Sequence, residues 1–400
     1  MIVEHAFLIS FFSILFLAAW IRIRHPFWSI QPVFHTYDIW RYWIIQPGVI
    51  SSMQVPTKFL NHDKVKTRNF LDTPTTELAA VLDVIQCHYL PSEQATFTLS
   101  SENLQTLCSH HSSGPCWVSM YFTDHFHVKD ETVVNSPGVA GVLIAYPVRM
   151  FLQNAGHQAI YYWDFVVMHR ETGTDVGTVR TLIQTHEANQ RRTDIPASLF
   201  RKDVDLSEGI VPLVQFTVSQ FELIRERIQR PPLAVHCTVT QVRKETINGL
   251  FDCLFDLTTN KNIFTLCLFP DLTAWEARLE RNEWQVYTMK SKDDIVAIYV
   301  FRTTHTAYED GLLECIVSVS LLDDDANLFF AGWLHALYDL LQISPEMSRL
   351  SIPNLGHNSK LLQTYTWKYK SSSTHDAAYY LYNYVCPGMP LSPHQCWIAL

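Results

Sequence analysis

The sequence carries few charges and lacks the common nucleotide-binding and hydrolase signatures. Charged residues make up 17% of its 400 residues, hydrophobic residues make up 48%, and the net charge is −9. A protein with a net negative charge does not attract the negatively charged backbone of nucleic acid, so we expect no nucleic-acid partner. No GxSxG, P-loop or Rossmann fingerprint occurs, so none of those motif-defined classes is indicated.

Cysteine is present but unpatterned. The nine cysteines stand singly, with no CxxC pair and no fixed spacing to histidine. An odd number of scattered cysteines argues against a disulfide framework and against a zinc site. We therefore expect reduced, mostly buried thiols in a cytoplasmic protein, and no metal. The apolar content is sufficient for one large core or two medium-sized ones.

One long apolar run lies near the start of the chain. Residues 6–21 are uncharged, and Arg22 and Arg24 follow them. This length is marginal for a bilayer span of ~17–25 residues, and the arginines favour a body on the cytoplasmic side. A cleaved signal peptide is disfavoured because the leading residues contain Glu4 and no lysine or arginine. We treat residues 1–24 as a candidate membrane anchor, with a buried core helix or a wrongly assigned start as the alternatives.

The remaining chain mixes helical and strand periodicities, which predicts an α+β protein. A helix is predicted at residues 76–88, where apolar residues recur at i, i+3, i+4 and i+7. Strands are predicted at residues 116–122, 139–147 and 159–169. The second half predicts strands at 233–242, 250–257, 295–301, 313–319 and 349–352, with a helix at 327–341.

Two local features suggest a binding site. Strand residues 161–168 lead into the loop ETGTDVGT (171–178) and then into a helix, whose first N–H groups can receive a phosphate. The alternative is an ordinary strand-to-helix turn without a ligand. The chain also stays apolar and aromatic from residue 377 to Leu400, which predicts a buried terminus because exposed ends fray.

Three segments carry a family resemblance. HPFWSIQPV (25–33) resembles the HxFWxTQPV arm of N-myristoyltransferases, and WDFVVMH (163–169) resembles their INFLCVH strand. YYLYNY (379–384), followed by Cys386-Pro387 and an apolar finish, resembles their YYLYNW…CP…LVL terminus. The resemblance implies two tandem acetyltransferase-like (GNAT) halves that form one saddle-shaped sheet flanked by helices. It implies that residues 25–210 bind acyl-CoA and that residues 211–400 bind a peptide.

The resemblance also implies a reaction, the transfer of a myristoyl group from myristoyl-CoA to the N-terminal glycine of a protein. The backbone N–H groups of Phe165 and Val166 would stabilise the oxyanion, and the α-carboxylate of Leu400 would be the base. A terminal carboxylate (pKa ~3.3–3.7) is a weak base toward an amine (~7.7–8.0), but desolvation narrows this gap. We expect a monomer with no permanent cofactor, since myristoyl-CoA is a substrate.

The resemblance assigns binding residues to both ligands. Those for acyl-CoA are His25, Phe27, Trp28, Phe165, Val166, Arg170, Thr174, Gly177, Thr178, Val179 and Arg180. Those for the peptide are Phe200, Tyr299, Asn354 and Asn383, although Tyr299 and Asn354 are equally explained as a core and a surface residue.

The sequence departs from the family at several places, among them Ser373-Thr374-His375 in place of a Gly-Asp-Gly stretch. The basic KKLRSKR loop is replaced by RETGTDVGT (170–178), in which Glu171 and Asp175 would repel phosphates. The YTAG stretch is replaced by FRKD (200–203). Two alternatives to glycine myristoylation therefore remain, a homologue that binds acyl-CoA or peptide without turnover and an acyltransferase for another amine.

Overall fold

The computed structural model describes residues 2–38, 41–44, 46–53, 57–90, 95–129, 132–153, 155–170, 176–259, 263–308, 311–322 and 325–400. The helices are α1 (Ile2–Arg24), α2 (Arg41–Ile44), α3 (Thr75–His88), α4 (Ser101–Ser109), α5 (Val176–Gln190), α6 (Ile247–Thr259), α7 (Leu272–Glu280), α8 (Ala326–Ile343) and α9 (Asn358–Lys368). The strands are β1 (Gly48–Val49), β2 (Val65–Asn69), β3 (Thr96–Phe97), β4 (Trp117–Lys129), β5 (Thr132–Leu152), β6 (Gly156–Met168), β7 (Ser198–Asp203), β8 (Val214–Glu222), β9 (Cys237–Gln241), β10 (Leu266–Phe269), β11 (Trp284–Ser291), β12 (Asp294–Ala307), β13 (Gly311–Ser320), β14 (Met347–Pro353), β15 (Ser373–Tyr382), β16 (Tyr384–Val385) and β17 (Cys396–Ile398).

One mixed sheet of 15 strands organises the chain. Its main path runs β17-β10-β5-β6-β7-β15-β8-β14-β13-β12-β11-β9, with β2, β3 and β4 attached beside it. The parallel neighbours are β6 and β7, β13 and β14, and β10 and β17. Strand β1 pairs with β16 in a separate two-stranded sheet.

The sheet contains the same unit twice. Apart from β3, which lies between α3 and α4, and β10, which lies between α6 and α7, the order β2, α3, α4, β4, β5, β6, α5, β7 in the first unit recurs as β9, α6, α7, β11, β12, β13, α8, β14 in the second. Each unit ends with a strand, a helix and a second strand that pairs in parallel with the first, namely β6-α5-β7 and β13-α8-β14. The strand that follows each unit in the chain pairs with the other unit. Strand β8, which follows the first unit, pairs with β14, and β15, which follows the second, pairs with β7. Since β8 and β15 also pair with each other, the two units share one continuous sheet.

Apolar packing explains most of these elements, and it corrects one prediction. Helices α3 and α8 and strands β4, β5, β6, β9, β12, β13 and β14 occur where the sequence predicts them. Residues 250–257 do not form a strand, because they belong to α6. Ile247, Leu250, Leu254 and Leu257 are all buried in one cluster, and their spacing of three and four residues is helical. The strand prediction rested on the run of apolar residues and overlooked this helical spacing.

The N-terminal apolar run forms α1, and its described side chains from residue 11 to residue 20 are exposed. Phe12, Phe16 and Trp20 have 63%, 74% and 52% of their surface exposed. The alternative of a buried core helix is therefore wrong for these residues. Within the described ranges, we find no helix with the length and apolar character needed to cross a bilayer.

Candidate functional site

Strand β6 is interrupted by a bulge at the position where the sequence predicts oxyanion donors. The pairing with β5 passes from Val142↔Val167 to Ile144↔Asp164, so Phe165 and Val166 lie opposite the single residue Leu143. Phe165 adopts a φ of 46°, which is unusual for a residue with a side chain. Neither Phe165 nor Val166 has a register partner on β5 or on β7. The bulge therefore separates two main-chain amides from the sheet ladder.

The bulge has a counterpart in the second unit. Strands β12 and β13 shift register between Val300↔Val317 and Phe301↔Cys315, which leaves Ile316 as the extra residue. The last pair with the following parallel strand is Trp163↔Phe200 in the first unit and Glu314↔Ser351 in the second. In both units this pair lies two residues before the bulge, so the strands separate at equivalent places.

Leu400 lies inside the protein. It is 4% exposed and belongs to the same apolar cluster as Phe165. Strand β17 brings it there by pairing in parallel with β10, and the Ala399 N–H donates to the Leu268 carbonyl. The Arg302 Nη1 group donates to the Leu400 oxygen at 2.9 Å. The terminus is therefore held by a guanidinium and by main-chain hydrogen bonds.

A cluster of buried and half-buried charges surrounds this end of the chain. Arg302 and Glu314 pair through Nε and Oε2 at 2.6 Å, and Arg201 Nη1 lies 3.7 Å from Glu314 Oε1. Arg201 also donates to Asp203 at 2.9 Å. Although burial opposes its charge, the neighbouring Glu314 raises the pKa of Arg302. We call Asp164, Arg201, Arg302 and Glu314 the charged cluster.

Asp164 joins this cluster from β6, one residue before the bulge. Its Oδ1 atom accepts the Phe165 N–H at 2.9 Å. Burial raises the pKa of Asp164, while that hydrogen bond and the charges of Arg302, Arg278 and Arg201 lower it less strongly. Burial and the charge of Asp164 also raise the pKa of Tyr146 and Tyr162. The bulge therefore lies next to a carboxyl group that is surrounded by tyrosine side chains.

The aromatic arm packs on α5. Phe27 is 2% exposed and makes edge-to-face contacts with Trp28 and Phe59, with ring centroids 5.0 and 5.5 Å apart. The Arg180 guanidinium lies 5.8 Å from the ring centroids of both Phe27 and Phe59. The Lys58 ammonium lies 5.2 Å from the Phe59 centroid. Lys58 and Arg180, which come from distant segments, therefore both lie near the Phe59 ring.

The predicted phosphate loop is only partly described. Thr174, with the rest of residues 171–175, lies outside the described residues. Helix α5 begins at Val176, three residues before the predicted start, and includes Gly177, Thr178 and Val179. The Gly177 carbonyl accepts the Thr181 hydroxyl at 2.9 Å. Arg170 lies just before the loop, where its Nη2 group donates to the Leu90 carbonyl at 3.4 Å.

The predicted peptide residues are not gathered in one place. Phe200 stacks on Trp28 with centroids 5.8 Å apart, whereas the next strand residue, Arg201, points to the other face of the sheet with the charged cluster. Tyr299 is fully buried and donates to the Phe329 carbonyl at 2.7 Å, in the core beneath α8. Asn354 is half-buried after the end of β14, and its N–H donates to the Thr217 carbonyl.

Asn383 and His25 tie the N-terminal arm to the body. The Asn383 side chain donates to the Pro196 carbonyl and accepts the Ser51 N–H, each at 3.0 Å. Its own N–H donates to the Pro32 carbonyl at 2.7 Å. His25 packs on Gly209, where a Cβ atom would approach the imidazole to 3.2 Å. Both residues thus fix the arm against the sheet.

Sequence reasoning missed the charged cluster and Lys58. Asp164, Arg302 and Glu314 each interrupt an otherwise apolar strand, in YYWDFVV, AIYVFRTT and LLECIVSV. A single charged side chain at an inward position of a buried strand destabilises the fold unless it forms an ion pair or has a functional role. This pattern in the sequence could therefore have identified these residues. Lys58 had no such signal, because only the fold places Arg180 at the Phe59 ring that Lys58 also contacts.

Comparisons with known proteins identify the fold. No protein-family model matches the sequence, and no curated protein matches it significantly. A solved structure of Saccharomyces cerevisiae N-myristoyltransferase with bound myristoyl-CoA aligns at 13% identity and a TM-score of 0.64, covering 92% of this chain and 94% of that one. A second myristoyl-CoA complex gives 13% and 0.66, covering 92% and 89%. A third, with myristoyl-CoA and inhibitors, gives 14% and 0.66, covering 94% of each chain. The chain therefore has the N-myristoyltransferase fold, and the predicted fold class of two acetyltransferase-like halves is confirmed.

Proposed function

We propose that this chain transfers a long-chain acyl group, myristoyl, from acyl-CoA to the N-terminal glycine amine of a protein. The observation that carries the proposal is the pairing of two groups in one apolar cluster, the β6 bulge at Phe165 and the buried terminus at Leu400. The bulge offers donors for an oxyanion, and the terminus offers a carboxylate. The fold supports the same reading, because proteins of this fold have been solved with myristoyl-CoA bound.

The proposed reaction uses both groups in sequence. The neutral glycine amine attacks the thioester carbonyl carbon, a C–N bond forms, and the carbonyl oxygen becomes an oxyanion bound by the N–H groups of Phe165 and Val166. The Leu400 carboxylate accepts the proton that the nitrogen loses as this bond forms. The C–S bond then breaks, and coenzyme A leaves as the thiol after taking up that proton. Arg302 holds the Leu400 oxygen in place for this transfer.

In this proposal residues 25–210 bind acyl-CoA, and residues 211–400 supply the peptide site and the terminus. Coenzyme A lies against Phe27 and Trp28, with its phosphates at the start of α5, where helix N–H groups and Arg180 attract anions. Lys58 supplies a second cation at the Phe59 ring, which Arg180 also contacts. We propose that the protein acts as a monomer, since the proposed reaction needs no group from a second copy of the chain.

Calorimetry with myristoyl-CoA and an assay for released thiol test the function. We expect myristoyl-CoA to bind and thiol to appear when a glycine-initiated peptide is added. The same peptide with an N-terminal proline or an acetylated glycine is the control and should release no thiol. Binding without release would instead support a homologue that no longer turns over. Release only with a non-peptide amine would support an acyltransferase for another substrate.

A first prediction concerns the cation pair at the arm. Replacing Lys58 or Arg180 by alanine should weaken myristoyl-CoA binding by about 10-fold each, since a charge-assisted hydrogen bond contributes about 1.5–3 kcal/mol, less when solvent-exposed. The dissociation constant is measured by calorimetry at two salt concentrations, and each variant should show a weaker salt dependence. Lys66→Ala removes another exposed cation over a ring, that of Phe122, and is the matched control. Equal affinities for all three variants would contradict a phosphate site at the arm.

We also propose that α1 attaches the protein to a membrane surface. Its exposed apolar side chains would insert into lipid and keep the catalytic body at the cytoplasmic face. Phe12→Asp with Phe16→Asp should lower partitioning onto phosphatidylcholine vesicles more than about tenfold in a flotation assay, since burying each ring contributes about 1.5–3 kcal/mol. Ile343→Asp, at an exposed apolar position of α8, is the control. Flotation that resists the double change would contradict attachment through α1.

A further inference from the structure

Asp164 occupies a position that the proposed reaction does not explain. Its Oδ1 atom accepts the N–H of Phe165 at 2.9 Å, and this N–H is one of the two donors proposed for the oxyanion. A thioester oxygen must therefore displace the carboxylate before it can use that donor. Asparagine, which the resembling strand INFLCVH carries at this place, would accept the same hydrogen bond without a charge. The negative charge thus needs a reason other than the hydrogen bond to the bulge.

The surroundings of Asp164 do not supply a structural reason. Within the described ranges it forms no ion pair at 4.0 Å or less, in contrast to Glu314, which contacts both Arg201 and Arg302. Asp164 is half-buried. Even partial burial of a carboxylate without a close cation is costly, and such groups are concentrated at functional sites. The groups that face it are the phenols of Tyr89, Tyr146 and Tyr162, the thiol of Cys116, and the guanidinium groups of Arg201, Arg278 and Arg302.

The proposed reaction also leaves one proton without an acceptor. An N-terminal amine is mainly an ammonium ion at neutral pH and must lose one proton before it attacks and a second as the C–N bond forms. Leu400 is assigned the second proton. The first needs another base near the thioester, and Asp164 is a carboxylate beside the oxyanion donors.

We propose that Asp164 is a second catalytic carboxylate, which binds the acceptor ammonium and takes its first proton once the thioester oxygen has displaced it from the Phe165 N–H. The N–H bond of the ammonium breaks, the proton moves to an oxygen of Asp164, and the neutral amine remains beside the thioester carbon. Asp164 returns this proton to solvent after coenzyme A leaves. The inference rests on the proposed function, and it assigns the site a preference for cationic amines over neutral nucleophiles.

The test compares thiol release by the full chain and by Asp164→Asn with three acceptors. These are a glycine-initiated peptide, ethylamine, and hydroxylamine, which is uncharged at neutral pH. We expect Asp164→Asn to lower kcat by ~10²–10³ for the two cationic acceptors and by less than about threefold for hydroxylamine. In the variant, kcat for the peptide should keep rising toward the pKa of the amine, whereas the unchanged protein should level off at lower pH. Asp376→Asn, on the exposed part of β15, is the control.

The possible outcomes separate the inference from the proposed function. Asp164→Asn that matches or exceeds the unchanged protein with the peptide would overturn the inference, because the carboxylate would then only obstruct the Phe165 donor. An equal loss with all three acceptors would also overturn it, because it would indicate a structural role. If the unchanged protein uses ethylamine but not the peptide, the proposed function fails, and the ethylamine comparison decides the role of Asp164. No release with any acceptor would contradict both.

Discussion

Deleting Leu400, or adding residues after it, should lower kcat by ~10²–10⁴ while myristoyl-CoA still binds, which is the usual effect of losing a positioned proton acceptor. In the structure Leu400 is buried, and Arg302 holds its oxygen at 2.9 Å. An added residue would convert this carboxylate into a peptide carbonyl, which cannot take up a proton from an amine. Single-turnover assays with a glycine-initiated peptide, together with calorimetry, separate the loss of chemistry from a loss of binding.

Leu400→Met is the matched control for this prediction. Methionine keeps both the terminal carboxylate and a similar apolar volume, so we expect kcat to stay within about threefold. A deletion that ends the chain at Ala399 keeps a carboxylate but moves it one residue closer to the end of β17, so it tests position rather than charge. Full turnover in a chain extended beyond Leu400 would eliminate the terminal carboxylate as the base.

The sequence predicted where the bulge and the buried terminus lie better than it predicted the charged residues around them. The position of the donors at Phe165 came from the resemblance of residues 163–169, and the structure has a bulge there. The burial of Leu400 follows from the apolar character of residues 377–400. Their catalytic roles remain predictions. The charged cluster depends on β7, β12 and β13, which are far apart in the chain and meet only because β15 and β8 are exchanged between the two units. No local pattern contains that information.

For the residues assigned to the peptide, the sequence identified the motifs but not the contacts that their side chains make in the fold. Alternation along β7 places Phe200 and Arg201 on opposite faces of the sheet, and only Arg201 faces Glu314. The resemblance assigns Phe200 to the peptide because FRKD (200–203) stands in the place of the YTAG stretch, and the sequence does not show which face of β7 meets the terminus. Asn383 was chosen for the peptide, yet its side chain bonds to Ser51 and Pro196. A polar residue in a strong motif therefore has a structural explanation as well.

Arg302 and Glu314 give the second large expected effect, and here stability and activity should separate. Removing one member of a buried ion pair leaves the other charge uncompensated, which costs about 3–5 kcal/mol when both are fully buried. Glu314 is 6% exposed and Arg302 is 32% exposed, so we expect Arg302→Met to lower the free energy of unfolding by about 2–4 kcal/mol. Chemical denaturation of the full chain measures this loss. Exposed pairs are worth much less, so Arg281→Met, which breaks the contact with Glu102, should cost less than about 1 kcal/mol.

The double variant Arg302→Met/Glu314→Leu should recover most of the lost stability, because two apolar side chains of similar volume often replace a buried pair at little cost. Arg201 keeps its contact with Asp203 in that variant. Its kcat should nevertheless stay about 10²-fold low, since the guanidinium that holds the Leu400 oxygen is then missing and a displacement of about 1 Å at a catalytic group has an effect of that size. Recovery of kcat together with stability would show that Arg302 serves the fold alone, whereas a stable protein with low kcat would identify it as the residue that positions the terminus.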